Sequence, residues 1–166
     1  MKRDLPYWIK ILPIGILSLG LLGVLFSVHI SRVTSFSMEP TYSLGDRVLV
    51  ESLSLRAVPP QRGEVIVFRD PRQATHPLVI KRIVGFPDER IDIKDDVVSV
   101  TDKKGVQTVF EKGSLLGRED NGKDFTMQLG PLDYFLMGDN RAGSKDSRTW
   151  GTIQLSEMFG RPLFHW

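Results

Sequence analysis

Three polar stretches of the chain carry side chains able to do covalent chemistry. Ser35-Phe-Ser37-Met-Glu-Pro-Thr41 offers two hydroxyls ahead of a proline-containing turn. Leu78–Val84 (LVIKRIV) sets Lys81 and Arg82 inside an otherwise apolar run, and Met137–Gly151 (MGDNRAGSKDSRTWG) gathers Asp139, Arg141, Ser144, Asp146 and Arg148. Each has an ordinary structural reading: a linker closed by a turn, an arginine in a salt bridge beside a lysine reaching for water, and a solvated loop with surface ion pairs. Together they suggest nucleophilic catalysis, because a serine nucleophile needs a base. His76 is the one mid-chain histidine, and it stands between Thr75 and Pro77 in a turn-like stretch that would hold an imidazole poorly. With no Cys there is no thiol nucleophile, thiolate zinc site or disulfide, and HExxH is absent. A lysine can serve as the base once its ammonium is desolvated, since the neutral amine then takes the serine proton. At the free pKa roughly one lysine in a few thousand is neutral at pH 7, and lowering that pKa by two units, at about 2.7 kcal/mol, raises the fraction about a hundredfold.

The elements that must hold these groups are short and β-like. Asp46–Glu51, Glu64–Phe68, Leu78–Val84, Arg90–Ile93, Val97–Val100, Val106–Phe110 and Tyr134–Met137 read as strands by their β-branched and aromatic content. Pro59-Pro60, Asp70-Pro71 and Asn121-Gly122 read as turns, the last as a hairpin. In Leu78–Val84, alternation sends Val79, Lys81 and Ile83 to one face and Ile80, Arg82 and Val84 to the other, so both faces are apolar around a cation. No segment after residue 30 shows sustained helical periodicity, and there is no internal repeat. A single, mainly β, antiparallel domain over residues 31–166 is expected. Gly117–Asp124 approaches a phosphate-binding loop, but Asp124 stands where a hydroxyl must reach magnesium, and the context is a hairpin. No nucleotide is expected.

The chain has 166 residues and a net charge of +2. That excess lies within the first ten residues, in Lys2, Arg3 and Lys10 against Asp4, and the remainder is neutral. A neutral body without a basic block excludes a nucleic-acid footprint. Residues 11–30 (ILPIGILSLGLLGVLFSVHI) contain no Asp, Glu, Lys or Arg, and as a helix they would span roughly 30 Å, the thickness of a bilayer core. Tyr7 and Trp8 suit an interfacial belt, and the cations before the segment outnumber Arg32 after it. The expectation is one N-terminal transmembrane helix at 11–30, with residues 1–10 cytoplasmic and 31–166 on the outer face of the lipid bilayer. A cleaved signal peptide fits less well, because the apolar core is long and no alanine precedes Ala57.

SFSMEPTYSLGDRVLV, RGEVIVF, LVIKRIVGFPDE and YFLMGDNRAGSKDSRTWG, in this order behind an apolar segment, resemble the successive boxes of bacterial type I signal peptidases, membrane-bound Ser–Lys proteases that remove signal peptides. The resemblance runs from Ser35 to Gly151 and resumes in FGRPLF. It implies a signal-peptidase-like β domain in a bacterial plasma membrane and exported preproteins cut after Ala-x-Ala as substrates. It implies no cofactor and no metal. By the same resemblance Ser37 is the nucleophile and Lys81 the general base. Ser35 and the Ser37 N–H would hold the oxyanion, and Ser144 would hydrogen-bond and orient the Lys81 amine. Asp146 with Arg148, and Asp139 with Arg82, would form supporting salt bridges, and Met38 would pack beside the nucleophile.

The chain departs from the family pattern at Gly85-Phe-Pro-Asp88-Glu89, where Asp88 replaces a turn glycine and a type I turn is the expected accommodation. Tyr42 replaces a common leucine, and one apolar segment stands where some relatives have two. Three other readings share much of the pattern: a peptidase dedicated to one pilin or conjugation substrate, a non-catalytic pilus-assembly chaperone, and a self-cleaving Ser–Lys repressor. The chaperone would have lost the serine or lysine, and the repressor would carry a DNA-binding region.

Overall fold

A computed structural model describes residues 12, 13, 15, 17, 18, 23, 27–95, 97–112 and 124–166. Eleven strands and two short helices follow in the order β1 (Val28–Arg32), β2 (Arg47–Glu51), α1 (Ser54–Ala57), β3 (Val65–Arg69), β4 (Leu78–Gly85), β5 (Arg90–Lys94), β6 (Val97–Thr101), β7 (Gln107–Lys112), β8 (Phe125–Gln128), β9 (Asp133–Met137), α2 (Ser147–Trp150), β10 (Ile153–Gln154) and β11 (Met158–His165). A seven-stranded sheet is ordered β1-β2-β11-β3-β4-β9-β10, and a four-stranded sheet β7-β6-β5-β8. Every strand pair is antiparallel. All seven strands expected from β-branched and aromatic runs are present, with ends moved by a residue or two.

Alternation sorts the core. On β9, Phe135 and Met137 join Val84, Ile91, Ile93 and Val98 between the sheets, while Tyr134 and Leu136 join Ile66, Phe68 and Ile83 in a second cluster. On β4, Val79 and Ile83 belong to that second cluster, Val84 to the first, and Ile80 to a third with Val33, Met38, Val48, Val50 and Val67. Both faces of β4 are apolar, as its sequence requires. β11 bridges the large sheet, pairing with β2 through Arg161–His165 and with β3 through Met158 and Gly160. Gly160 permits the crossing, since a Cβ there would lie 2.2 Å from the Glu51 carbonyl oxygen.

Two expectations are corrected. Val28–Ile30, placed in the apolar N-terminal helix, belong to β1 and pair with Leu49–Glu51 of β2. Val28 and Ile30 are β-branched and suit an exposed edge strand, and the β2 ladder pairs their backbone. The rest of that segment lies largely outside the described residues; residues 12, 13, 15, 17, 18 and 23 are helical, and among the described residues no helix is long and apolar enough to cross a membrane. The turn after β4 is not type I: Asp88 takes φ +64°, in the left-handed region that Asp tolerates better than most residues. The Asp88 N–H donates to Gly130 O, and the Phe86 N–H donates to the Glu89 carboxylate, closing the turn without glycine. The Asn121-Gly122 hairpin, and most of the segment resembling a phosphate-binding loop, lie outside the described residues.

Candidate active site

Ser37 sits in the loop between β1 and β2, and Met38 fixes that loop to the core. Met38 is fully buried among Val33, Val48, Val50 and Val67, and its carbonyl accepts from the Tyr42 N–H at 3.0 Å. With its neighbour plugged into the apolar cluster, Ser37 is itself 6% exposed. Lys81 comes from the middle of β4, paired opposite Ile66, and is 3% exposed. Its Nζ meets Ser37 Oγ at 2.5 Å and the Ile80 carbonyl at 3.2 Å. Burial among apolar groups lowers the Lys81 pKa from 10.5 to about 8, against the opposing fields of Asp146 and Asp139. A neutral amine can therefore coexist with the Ser37 hydroxyl near neutral pH.

The polar segment after β9 closes over this pair. Gly138 allows the approach: a Cβ there would stand 2.2 Å from Ser144 Oγ and 2.3 Å from Ser37 O. Asp146, fully buried, accepts the Gly138 N–H at 3.0 Å and a bidentate pair from Arg148, Nε and Nη2 each at 2.8 Å. The Ser147 hydroxyl accepts the Leu136 N–H at 2.9 Å. Asp146 and Ser147 thus serve as acceptors for β9 beyond the point where β10 stops pairing with it.

Asp139 receives Arg82 through Nε at 2.7 Å and Nη2 at 2.5 Å, and Thr41 Oγ1 at 2.5 Å. Burial pushes its carboxyl up, but the hydrogen bonds from Arg82 and Thr41 outweigh that and hold it below the usual range. Arg141 is buried, and its Nη2 meets Glu111 of β7 at 2.6 Å, linking this segment to the smaller sheet.

The structure brings Ser35, Ser37, Lys81 and Ser144 together, flanked by the Arg82–Asp139 and Asp146–Arg148 pairs. Ser35 Oγ lies 3.1 Å from Ser37 Oγ. Ser144 departs from expectation: its Oγ is buried without a hydrogen-bond partner, so the anticipated bond to Lys81 is not formed. The Lys81 amine is instead engaged by Ser37 and Ile80, and the Ser144 hydroxyl, packed against Gly138, is left unsatisfied. Asn140 and Thr41 carry no individual role legible in the sequence. The Gly-Asp-Asn-Arg string was the available signal, but a side chain that bonds to main-chain carbonyls far along the sequence has no spacing signature. Among the described residues no group of three or more His, Cys, Asp or Glu could hold a metal ion.

The chain is similar to known proteins over most of its length. The sequence profile of the family described as "Signal peptidase, peptidase S26" matches residues 5–166. A Synechocystis protein named "Probable signal peptidase I-2" is 30% identical over 146 residues, 82% of this chain, which spans 62% of that relative's length. Signal peptidase IB of Staphylococcus aureus is 27% identical over an alignment of 177 positions that covers 99% of this chain and 90% of the relative. A crystal structure of a signal peptidase I from Enterococcus faecalis superimposes with a TM-score of 0.50 at 28% identity, covering 63% of this chain and 97% of that one.

Proposed function

The chain belongs to the signal peptidase family, peptidase S26, and from that premise we propose that it removes signal peptides from exported preproteins with a Ser37–Lys81 dyad. The observation that carries this reading is the 2.5 Å contact between Lys81 Nζ and Ser37 Oγ in a site where burial lowers the lysine pKa to about 8. In the reaction the neutral Lys81 amine takes the Ser37 proton as Oγ attacks the scissile carbonyl. The oxyanion is held by the Ser37 N–H and the Ser35 hydroxyl. Collapse of the intermediate breaks the C–N bond, and the Lys81 ammonium returns its proton to the leaving amine. Lys81 then deprotonates a water that attacks the acyl-enzyme, and the released Ser37 recovers its proton. Asp139–Arg82 and Asp146–Arg148 hold the surrounding loops.

Two features support an extended substrate with small side chains. β9 pairs with β4 only from Arg82 onward, so among the described residues the Leu78–Ile80 edge leading to Lys81 has no strand beside it on that side. A cavity of about 70 Å³ lies next to that edge, lined by Val33, Ser35, Val48, Val50, Val67 and Ile80 among others. Its valine and isoleucine walls suit a small aliphatic side chain such as alanine. Residues 11–27 act as the membrane anchor in this reading, with the β domain at the outer face of the bacterial plasma membrane.

The test is cleavage of a preprotein bearing an Ala-x-Ala site by the parent, Ser37→Ala and Lys81→Ala. Product from the parent alone is the expected result. No cleavage by a folded parent would favour the dedicated peptidase or the chaperone, and cleavage surviving Ser37→Ala would displace the nucleophile assignment.

A further inference from the structure

Asn140 makes three hydrogen bonds, and two of them flank the nucleophile. Its side-chain Nδ2 donates to Phe36 O at 3.2 Å, and its backbone N–H donates to Ser37 O at 3.1 Å. Its Oδ1 accepts the Gly143 N–H at 3.1 Å. The partners fix the amide orientation, because a carbonyl can only accept and an N–H can only donate. Gly143 approaches so closely that an added Cβ would lie 3.0 Å from Asn140 Nδ2.

The Phe36 carbonyl and the Ser37 N–H belong to one peptide group. That group is planar and its C=O and N–H point in opposite directions. A donor holding Phe36 O therefore helps to set the direction in which the Ser37 N–H points, and Asn140 Nδ2 does so together with the Glu39 N–H, which donates to the same oxygen at 3.2 Å. It also polarises the same peptide, strengthening the N–H as a donor. Among the described residues the Ser37 N–H has no acceptor of its own, so it is available to a developing oxyanion. The bond from the Asn140 N–H to Ser37 O fixes the next peptide group in turn, so one residue clamps the backbone on both sides of the nucleophile.

We propose that Asn140 is a positioning residue that aims the Ser37 N–H at the oxyanion of the tetrahedral intermediate. This rests on the reading of Ser37 as the nucleophile. Asn140 touches neither Ser37 Oγ nor Lys81 Nζ, so its effect falls on stabilisation of the intermediate and leaves the protonation of the base alone. Asn140→Ala removes the side-chain donor and the Gly143 acceptor together. Asn140→Asp is nearly isosteric and keeps the Gly143 acceptor, but it turns an oxygen toward Phe36 O.

The experiment measures kcat and KM of the full chain on an Ala-x-Ala peptide, and its inhibition by the matching peptide boronic acid, a tetrahedral mimic. Affinity for the uncleaved peptide is read in the Ser37→Ala background with and without Asn140→Ala. Both Asn140 variants are expected to lose about 10- to 100-fold in kcat, less than or near the effect of deleting an oxyanion donor outright. Boronate inhibition should weaken by a similar factor, KM and uncleaved-peptide affinity should stay within about twofold, and the alanine variant should keep the parent's pH–rate midpoint. Parental kcat in Asn140→Asp overturns the proposal, because a role confined to supporting Gly143 survives that change. Equal losses in uncleaved-peptide affinity and kcat also overturn it. Should Asn140→Ala unfold, the isosteric Asp variant carries the same reading. Cleavage that persists in Ser37→Ala refutes the underlying nucleophile assignment; loss in Ser37→Ala beside parental rates in both Asn140 variants refutes this proposal alone.

Discussion

Lys81 shows how a single side chain ties the chemistry to the stability of the domain. With its pKa near 8, about one molecule in ten carries the neutral amine at pH 7. The rate of the chemical step should rise nearly tenfold per pH unit up to about pH 8 and level off above it. A profile flat from pH 6 to 10 with chemistry rate-limiting would exclude lysine as the base. The same shift has a stability counterpart. Between about pH 8 and 10.5 the unfolded chain binds a proton that the folded chain has released, so stability rises with pH across that window. Below it, the buried ammonium costs about 3 kcal/mol. Lys81→Met should therefore be inactive yet more stable than the parent in urea at pH 7, with the difference shrinking toward pH 10.5. Equal midpoints for parent and variant at pH 7 would mean the amine is better solvated than its 3% exposure indicates.

At the level of elements, the site depends on how the segment after β9 is fastened. β10 supplies only two residues to pair with β9, and the Leu136 and Gly138 N–H groups beyond them go to the Ser147 hydroxyl and the Asp146 carboxylate. Side chains thus extend a ladder that the backbone abandons, and the chain is freed to bend over Ser37. Gly138 stands at that bend. Gly138→Ala would push a methyl into both Ser144 Oγ and Ser37 O, and the second is main chain that cannot rotate away. We expect a loss of at least tenfold in kcat with a stability decrease of about 1–3 kcal/mol, read by cleavage and by thermal unfolding. A fully active, equally stable alanine variant would require the β9 segment to stand farther from Ser37. The β4–β5 turn shows a different demand: Asp88 takes φ +64°, in the left-handed region that Asp tolerates better than most residues, so the turn forms there without glycine.

On the scale of the whole molecule, the Ser35–Ser37 loop, β4 and the segment after β9 come from three distant parts of the chain held by one seven-stranded sheet. The smaller sheet reaches the site through the Arg141–Glu111 pair. β1 lies at the sheet edge and leads directly into the Ser35–Ser37 loop. Removing residues 1–27 should leave a folded domain that still cleaves peptides in detergent, whereas removing residues 1–32 strips β1 from β2 and should lower stability and activity together. Unfolding of the first truncation would show that the N-terminal segment is part of the folding unit.

Sequence alone determined the β class, seven strands, and the candidate nucleophile and base. Each of these is written in local composition or in a contiguous string of residues. Only the tertiary structure decided the remainder. β1 was hidden at the end of an apolar run because Val28 and Ile30 read alike in a strand or a helix. β8 and β10, of four and two residues, are too short to stand out as β-type runs, and β11 carries Gly160 and Pro162 and takes its pairing from β2 and β3, far along the chain. The Asn140 clamp and the unpaired Ser144 hydroxyl depend on distances between loops that no local pattern encodes. The lowered Lys81 pKa follows from burial, which is set by every element packed around β4 and by no single one of them.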